Sequence, residues 1–135
     1  MKKLFRMLLC AVLVFTFAGC AEETLDLSIL QIQYNQVLAI HISGGEFGEG
    51  DYLNAAKIQK FVGNMNLISK MTQVEESEVD TENAVEVEFQ TRSSNKTISI
   101  LPPYIKVDNR WFRVSEDCEV YLDNMMDLIR ENLGN

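Results

Sequence analysis

The sequence predicts an α+β fold in which a single, mostly antiparallel sheet carries two helices packed on one face. Short runs of alternating apolar residues, clearest at 85–89, are typical of strands. Two longer segments, at about 52–64 and 115–133, carry apolar residues at helical spacing. The order is strands, helix, strands, helix, which predicts one domain over residues 28–135 behind an N-terminal leader.

The first half of the domain predicts strands followed by a helix. Apolar residues take even positions: Leu30, Ile32, Tyr34, then Leu38, Ile40 and Ile42. Asn35 and Gln36 predict a turn between two strands, although one long bent strand fits as well. A loop with four glycines, residues 44–51, leads to a helix capped by Asp51 and ending at Gly63 or Asn64. Residues 66–73 fit either a short strand or a continued helix.

The second half predicts two hairpins and a last helix. The acidic run 74–83 is predicted to be the least ordered part and the preferred site of proteolysis. Strands at 85–89 and 97–101 flank a turn at 92–96, and Pro102-Pro103 ends the second strand. Residues 104–107 and 110–114 predict a tight hairpin around Asp108-Asn109. The final helix begins at Ser115 and has an apolar stripe: Cys118, Tyr121, Leu122, Met125, Leu128, Ile129 and Leu133.

The first nineteen residues predict a signal peptide. Three basic residues precede the apolar run 7–18, which at about twelve residues is shorter than the roughly 20 that span a membrane. The run ends in Phe17-Ala18-Gly19-Cys20, which resembles the lipobox of bacterial lipoproteins, with Phe17 where Leu is commonest. The resemblance implies cleavage after residue 19, lipidation of Cys20 and a tether over 20–27. It also implies a lipid-anchored location on the extracytoplasmic face of the cell membrane.

The domain itself resembles small lipoproteins of uncharacterised function from Gram-positive bacteria. The likeness rests on the strand at 85–89 and on the hairpin at 105–112. It is a likeness of hydrophobic spacing and brings no catalytic motif, so it implies no activity.

Composition narrows the possible partners. Removing the leader takes three of the twelve basic residues and leaves nine against twenty acidic ones, a formal charge of −11. Such a charge repels nucleic acid and anionic lipid headgroups, so no nucleic-acid partner is expected and the membrane contact is the lipid on Cys20. Cys118 is the single cysteine left in the fold, so an internal disulfide is impossible. No metal-ligand spacing surrounds the lone His41, and no cofactor is predicted.

Four candidate sites are disfavoured by their residues. The glycine-rich loop lacks the Gly-Lys-Ser/Thr ending of a phosphate loop, and its acidic residues Glu46, Glu49 and Asp51 repel anions. These carboxylates and the run 74–83 could supply oxygen ligands to Ca²⁺, but neither has EF-hand spacing. A nucleophile needs a base beside it, and Cys118 with His41 is the Cys–His pair that could serve; Cys118 is predicted to point toward the core and His41 away from it. Cys118 is predicted to be an inert, buried thiol whose pKa is raised by burial and by acidic neighbours.

Trp111 is the most interesting exposed candidate. If Phe112 faces the core, Trp111 lies on the other side of the sheet between Arg110 and Arg113. An exposed tryptophan beside two arginines is typical of a binding hot spot. The alternative, which the pattern favours, is that neighbours such as Tyr104 pack over it.

The sequence therefore predicts a membrane-anchored, extracytoplasmic and non-enzymatic interaction or binding module. Its sheet or terminal hairpin would contact another envelope protein or a cell-wall component. The alternative is a small-ligand or metal-binding lipoprotein.

Overall fold

The sheet contains seven strands, each antiparallel to its neighbours, in a computed structural model that describes residues 32–133. The strands are β1 (Val37–Ser43), β2 (Asp51–Tyr52), β3 (Met71–Val74), β4 (Val85–Thr91), β5 (Asn95–Leu101), β6 (Tyr104–Val107) and β7 (Arg110–Val114). Their order across the sheet is β2-β1-β4-β5-β6-β7-β3. Within residues 32–133 the α-helices are α1 (Ala55–Leu67) and α2 (Glu119–Leu133). The predicted α+β class is confirmed.

One face of the sheet, the core face, is covered by the two helices. Every second residue of the central strands is buried there, including Ile42, Val87 and Ile100. The helices contribute Ile58, Phe61, Val62, Met65, Leu122, Met125, Met126 and Ile129. The rings of Phe61 and Phe89 lie 6.1 Å apart, which joins α1 to β4. We call the opposite side of the sheet the outer face.

The start of β1 differs from the prediction. Tyr34–Gln36 forms a 3₁₀ turn, so no strand runs through residues 32–36, while residues 30 and 31 lie outside the described part. The pairing of β1 with β4 shifts between Val37 and Ala39. A bulge of this kind inserts one extra residue and interrupts the strict alternation. Val37 and Ile40 are consequently buried, whereas the predicted core residue Leu38 is 59% exposed.

The boundaries of α1 also differ from the prediction. Asp51 is not the cap, because it pairs with Ile42 in β2, and Asn54 caps the helix by accepting a hydrogen bond from the amide of Ala56 (3.0 Å). The helix passes through the predicted stop at Gly63 and ends at Leu67. A Cβ at Gly63 would meet nothing within 4 Å, so this glycine sits on an open side and weakens the helix without ending it. Residues 71–74 then form β3.

The two predicted hairpins and the final helix are present. Asp108 and Asn109 have φ angles of 58° and 63°, the left-handed values that a two-residue type I′ turn requires. Pro102 and Pro103 separate β5 from β6. Ser115 begins a 3₁₀ turn, Glu116–Cys118, which continues directly into α2.

The acidic run is more regular than predicted. It contains two 3₁₀ turns, Glu76–Glu78 and Thr81–Asn83, and between them Val79 is buried. Because β7, β6 and β5 lie between β3 and β4, the connection at 75–84 has to pass three strands. Val79 and Trp111 are both buried but lie outside the main core. We infer that residues 75–84, the crossing segment, run over the outer face and cover Trp111.

The ends of the two helices are joined by one side chain. Asn132, near the end of α2, accepts a hydrogen bond from the amide of Asn54 (2.8 Å) and donates one to the carbonyl of Tyr52 (3.2 Å). Lys57 and Glu131 form an ion pair beside it (3.1 Å). Between residues 32 and 133, no helix is both long and apolar enough to cross a membrane.

Candidate functional site

The predicted lipidation site lies outside the described residues. Cys20, the signal peptide over 1–19 and the tether over 20–27 all precede Ile32, the first residue that the structure describes. These three predictions therefore remain predictions.

Trp111 is not an exposed hot spot, and the favoured alternative, a tryptophan packed under its neighbours, is confirmed. Trp111 alternates with the core residue Phe112 and so lies on the outer face, but it is only 4% exposed. The alternative, a tryptophan packed on the second face of the sheet, is what the structure has. Its indole Nε1 has no hydrogen-bond partner among residues 32–133. The residues packed over the outer face therefore bury the indole ring of Trp111 but provide no acceptor for its Nε1–H.

The Cys118–His41 pair is not formed. Cys118 belongs to the core between the sheet and the helices. His41 alternates with the buried residues Ile40 and Ile42, so its side chain lies on the outer face. The sheet separates the two groups, and His41 cannot act as a base for this thiol.

Cys118 is buried as predicted, but the predicted direction of its pKa is wrong. Burial raises the pKa of the thiol, while hydrogen bonding from the Ser115 hydroxyl and from Ser69 and Lys70 lowers it by more. The hydroxyl of Ser69 lies 3.9 Å from Sγ. The buried Ser115 hydroxyl has no hydrogen-bond partner among residues 32–133, so it is available to donate to a Cys118 thiolate. The hydrogen-bond donors around the Cys118 thiol therefore lower its pKa. The acidic residues near it in sequence suggest the opposite direction.

The acidic loops do not gather into a metal site. Within the described residues, no group of three His, Cys, Asp or Glu side chains is close enough to hold a metal ion. Glu46 instead forms an ion pair with Arg130 of α2 (3.2 Å), which ties the glycine-rich loop to the helix layer. The glycine-rich loop is therefore attached to the helix layer by an ion pair.

A cluster of four side chains on the outer face is the best candidate for a binding site. Tyr52 lies directly opposite His41, and His41 lies opposite Glu88 on the next strand. The rings of Tyr52 and His41 meet edge to face, with centroids 5.0 Å apart. Gln90 Nε2 donates to the hydroxyl of Tyr52 (3.3 Å) and to Oε1 of Glu88 (2.9 Å). We call these four residues the Tyr52 cluster.

The Tyr52 cluster is both exposed and held in place. Tyr52 is 50% exposed, whereas His41, Glu88 and Gln90 are partly buried beside it. A tyrosine held by a ring on one side and by an amide on the other has little rotamer freedom left to lose on binding. Chemically, the cluster offers a phenol, an imidazole, a carboxylate and an amide.

Sequence reasoning placed His41 on the outer face but missed Tyr52. The sequence pattern places Tyr52 at the start of α1, since a two-residue strand is too short to show a period-two pattern. Tyr52 pairs with His41 because the loop at 44–50 brings β2 back beside β1. The residues next to Tyr52 in sequence give no sign of this pairing.

Comparison of the chain with protein-family models, with curated proteins and with solved structures gave no match in any of the three.

Proposed function

We propose that this protein is a non-enzymatic binding module, anchored by a lipid on Cys20 to the extracytoplasmic face of the cell membrane. Its partner would be another envelope protein or a cell-wall component, bound on the outer face through the Tyr52 cluster. The anchor is supported by the lipobox-like sequence Phe17-Ala18-Gly19-Cys20 behind a short apolar run.

The single observation that carries the binding role is the half-exposed, fixed ring of Tyr52. Tyrosine is enriched at binding hot spots because it buries a large area at a low cost in conformational entropy. The edge-to-face contact with His41 and the hydrogen bond from Gln90 hold this ring in place before any partner arrives. The terminal hairpin offers less, because its tryptophan is covered.

Photo-crosslinking in intact cells tests the binding role. A photoreactive amino acid replaces Glu86, an exposed outer-face residue of β4, in the full-length chain. We expect a discrete adduct that disappears when Tyr52→Ala is added. Val120→Ala is the matched control, because Val120 on α2 is as exposed as Tyr52 (52% against 50%) and lies in the helix layer. No reproducible adduct, or an adduct indifferent to Tyr52→Ala, would contradict the proposal.

A separate arm tests the anchor. We expect Cys20→Ala to abolish incorporation of labelled palmitate and to leave an uncleaved precursor or a protein outside the membrane fraction. Palmitate labelling that persists after this change would contradict the lipobox interpretation, whatever the crosslinking shows.

The second candidate function is the capture of a small ligand. One observation favours it, namely a polar cavity at the end of the sheet where the described chain begins.

A further inference from the structure

A cavity of about 410 Å³ opens at the end of the sheet where β1 begins and the β4–β5 turn lies. One wall comes from the segment before β1, including Gln33 and Gln36. The other comes from the turn, with Thr91, Arg92, Ser94 and Lys96. Its volume falls within the roughly 300–1,000 Å³ of small-molecule sites.

The charge of this cavity is opposite to that of the protein. Its lining includes Arg92 and Lys96 but no carboxylate, in a chain with twenty acidic and twelve basic residues. Two other cavities contain acidic side chains, Glu116 and Glu119 in one and Glu119 and Asp123 in the other. Across residues 32–133, neither Arg92 nor Lys96 forms an ion pair. Both cations are therefore free to meet an anion.

The wall that carries Arg92 is held by its own hydrogen bonds. The carbonyl of Ser94 accepts from both the amide and the hydroxyl of Thr91, and the amide of Ser94 donates back to that hydroxyl (3.1 Å). On the facing wall, the amide of Gln36 donates to the carbonyl of Gln33 (3.0 Å). These bonds hold the backbone of both walls, and the lining residues Gln33, Gln36, Arg92 and Lys96 each carry side-chain N–H donors.

We propose that this cavity binds a phosphate group. A guanidinium donates two parallel hydrogen bonds to phosphate oxygens, and an ammonium adds a compact positive charge. The neutral amides and hydroxyls around them suit the remaining oxygens of a tetrahedral anion. The phosphate comes either from an anionic phospholipid headgroup or from a small soluble phosphate.

The position of the cavity is what makes the headgroup a natural source. Ile32, which lines the cavity, lies twelve positions after Cys20, and twelve Cα–Cα steps reach at most about 40 Å. If Cys20 carries a lipid, this end of the domain stays near the bilayer; this step, unlike the site itself, rests on the proposed function. The net negative charge of the protein repels anionic lipid as a whole, so the attraction of a headgroup is local to Arg92 and Lys96.

The test uses the ¹⁵N-labelled full chain in micelles of a neutral detergent at constant ionic strength. One arm adds inorganic phosphate, and the other replaces part of the detergent with an anionic phospholipid. We expect saturable amide shifts at residues 33–36 and 91–96. The double variant Arg92→Gln/Lys96→Gln should bind at least tenfold more weakly. Lys60→Gln/Lys70→Gln, which removes the same charge from two exposed lysines elsewhere, should bind as the parent does.

Each outcome decides the proposal. Shifts with phospholipid alone support a headgroup site, shifts with inorganic phosphate alone support a soluble ligand, and shifts with both support a general phosphate site. No saturable shift in either arm, or an equal response from Arg92→Gln/Lys96→Gln, overturns it. Neither arm depends on lipidation of Cys20 or on a partner at Tyr52, so failure here is distinguishable from failure of the proposed function.

Discussion

At the scale of single residues, the two aromatic side chains that matter most on the outer face are in opposite situations. Tyr52 is half exposed and its hydroxyl accepts a hydrogen bond, while Trp111 is buried and its N–H has no partner in the described part of the chain. A buried donor without a partner costs free energy, so the burial of Trp111 has to come from the packing of its ring.

Trp111 should therefore tolerate the loss of its N–H better than the loss of its ring. We expect Trp111→Phe to change the free energy of unfolding by less than about 1.5 kcal/mol, because it removes the orphan donor and keeps an aromatic ring. Trp111→Ala should cost about 3–5 kcal/mol. Urea denaturation followed by circular dichroism measures both. Equal losses in the two variants would mean that the packing of the ring contributes little, which would contradict this account of its burial.

Cys118 should make stability depend on alkaline pH. Its folded-state pKa lies below the ordinary value of 9.0, so in that window the unfolded chain binds more protons than the native one. The stability due to the thiolate is therefore present above 9.0 and is lost as the pH falls through the folded pKa. We expect the unfolding free energy of the parent minus that of Cys118→Ala to be larger at about pH 10 than at about pH 6.

The control for this comparison is Val120→Ala, an exposed position on the same helix that carries no titratable group. Its difference from the parent should be the same at both pH values. A pH-independent difference for Cys118→Ala would show that burial, which raises the pKa, balances the surrounding donors, and a smaller difference at about pH 10 than at about pH 6 would show that burial outweighs them.

At the scale of elements, the loop between β1 and β2 depends on one glycine. Gly50 has a φ angle of 70°, and a Cβ there would lie 1.6 Å from the backbone carbonyl oxygen of Ile42. Because that atom belongs to the β1 backbone, it cannot move aside without disturbing the pairing of β1. The close approach at Gly50 is what lets the chain return to form β2 and place Tyr52 beside His41.

We expect Gly50→Ala to destabilise the protein by about 4 kcal/mol or more, because backbone clash adds to an unfavourable φ. Gly48→Ala is the matched control: its φ is also positive, at 57°, but a Cβ there meets nothing within 4 Å. That variant should cost less than Gly50→Ala, since only its unfavourable backbone angles (φ 57°, ψ −122°), and no clash, oppose the alanine. Thermal unfolding compares the two, and similar losses would contradict the close approach at Gly50.

The crossing segment is the element whose position is tested through Trp111. As the sole tryptophan, Trp111 reports its own exposure by fluorescence. Val79→Asp places a charge at a buried position and should loosen the segment, so Trp111 emission should shift to the red and acrylamide quenching should increase. Val120→Asp, at an exposed position, should leave both unchanged. If Val79→Asp leaves Trp111 protected, another part of the chain covers it.

At the scale of the whole molecule, the start of α1 is tied to the end of α2 through Asn132. This residue spans 78 positions of sequence to reach Asn54 and 80 to reach Tyr52. It therefore joins the helix layer to the segment that carries the exposed tyrosine, and it links the two halves of the chain.

We expect Asn132→Ala to lower the free energy of unfolding by about 1 kcal/mol or somewhat more, since two hydrogen bonds to backbone are lost. Asn124→Ala, on the same helix, loses a single exposed bond to the Asn64 side chain (3.1 Å) and should cost less than about 0.5 kcal/mol. Chemical denaturation separates the two. The idea that Asn132 joins the two halves would be wrong if both variants behaved alike.

Much of this architecture was predictable because it is written in local patterns. Two kinds of local signal were sufficient. Periodic apolar residues marked the strand at 85–89 and the stripe of α2, and turn-forming residues marked the ends of strands at Pro102-Pro103 and Asp108-Asn109. The errors occurred where a residue fits two local structures equally well. Asp51 resembles a helix cap but pairs in a strand, and Gly63 resembles a stop but lies on an open helix side. The bulge after Val37 displaced Leu38 from the core.

By itself, the sequence determined the α+β class, the two amphipathic helices, the central hairpins and the burial of Cys118, because hydrophobic periodicity decides which face of each element meets the core. Tertiary structure alone decided the strand order, the cover over Trp111, the meeting of Tyr52 with His41 and the lowered pKa of Cys118. The first three depend on groups brought together from distant parts of the chain, and the last combines a near neighbour, Ser115, with the distant Ser69 and Lys70. Contacts between distant segments lie outside any window of neighbouring residues.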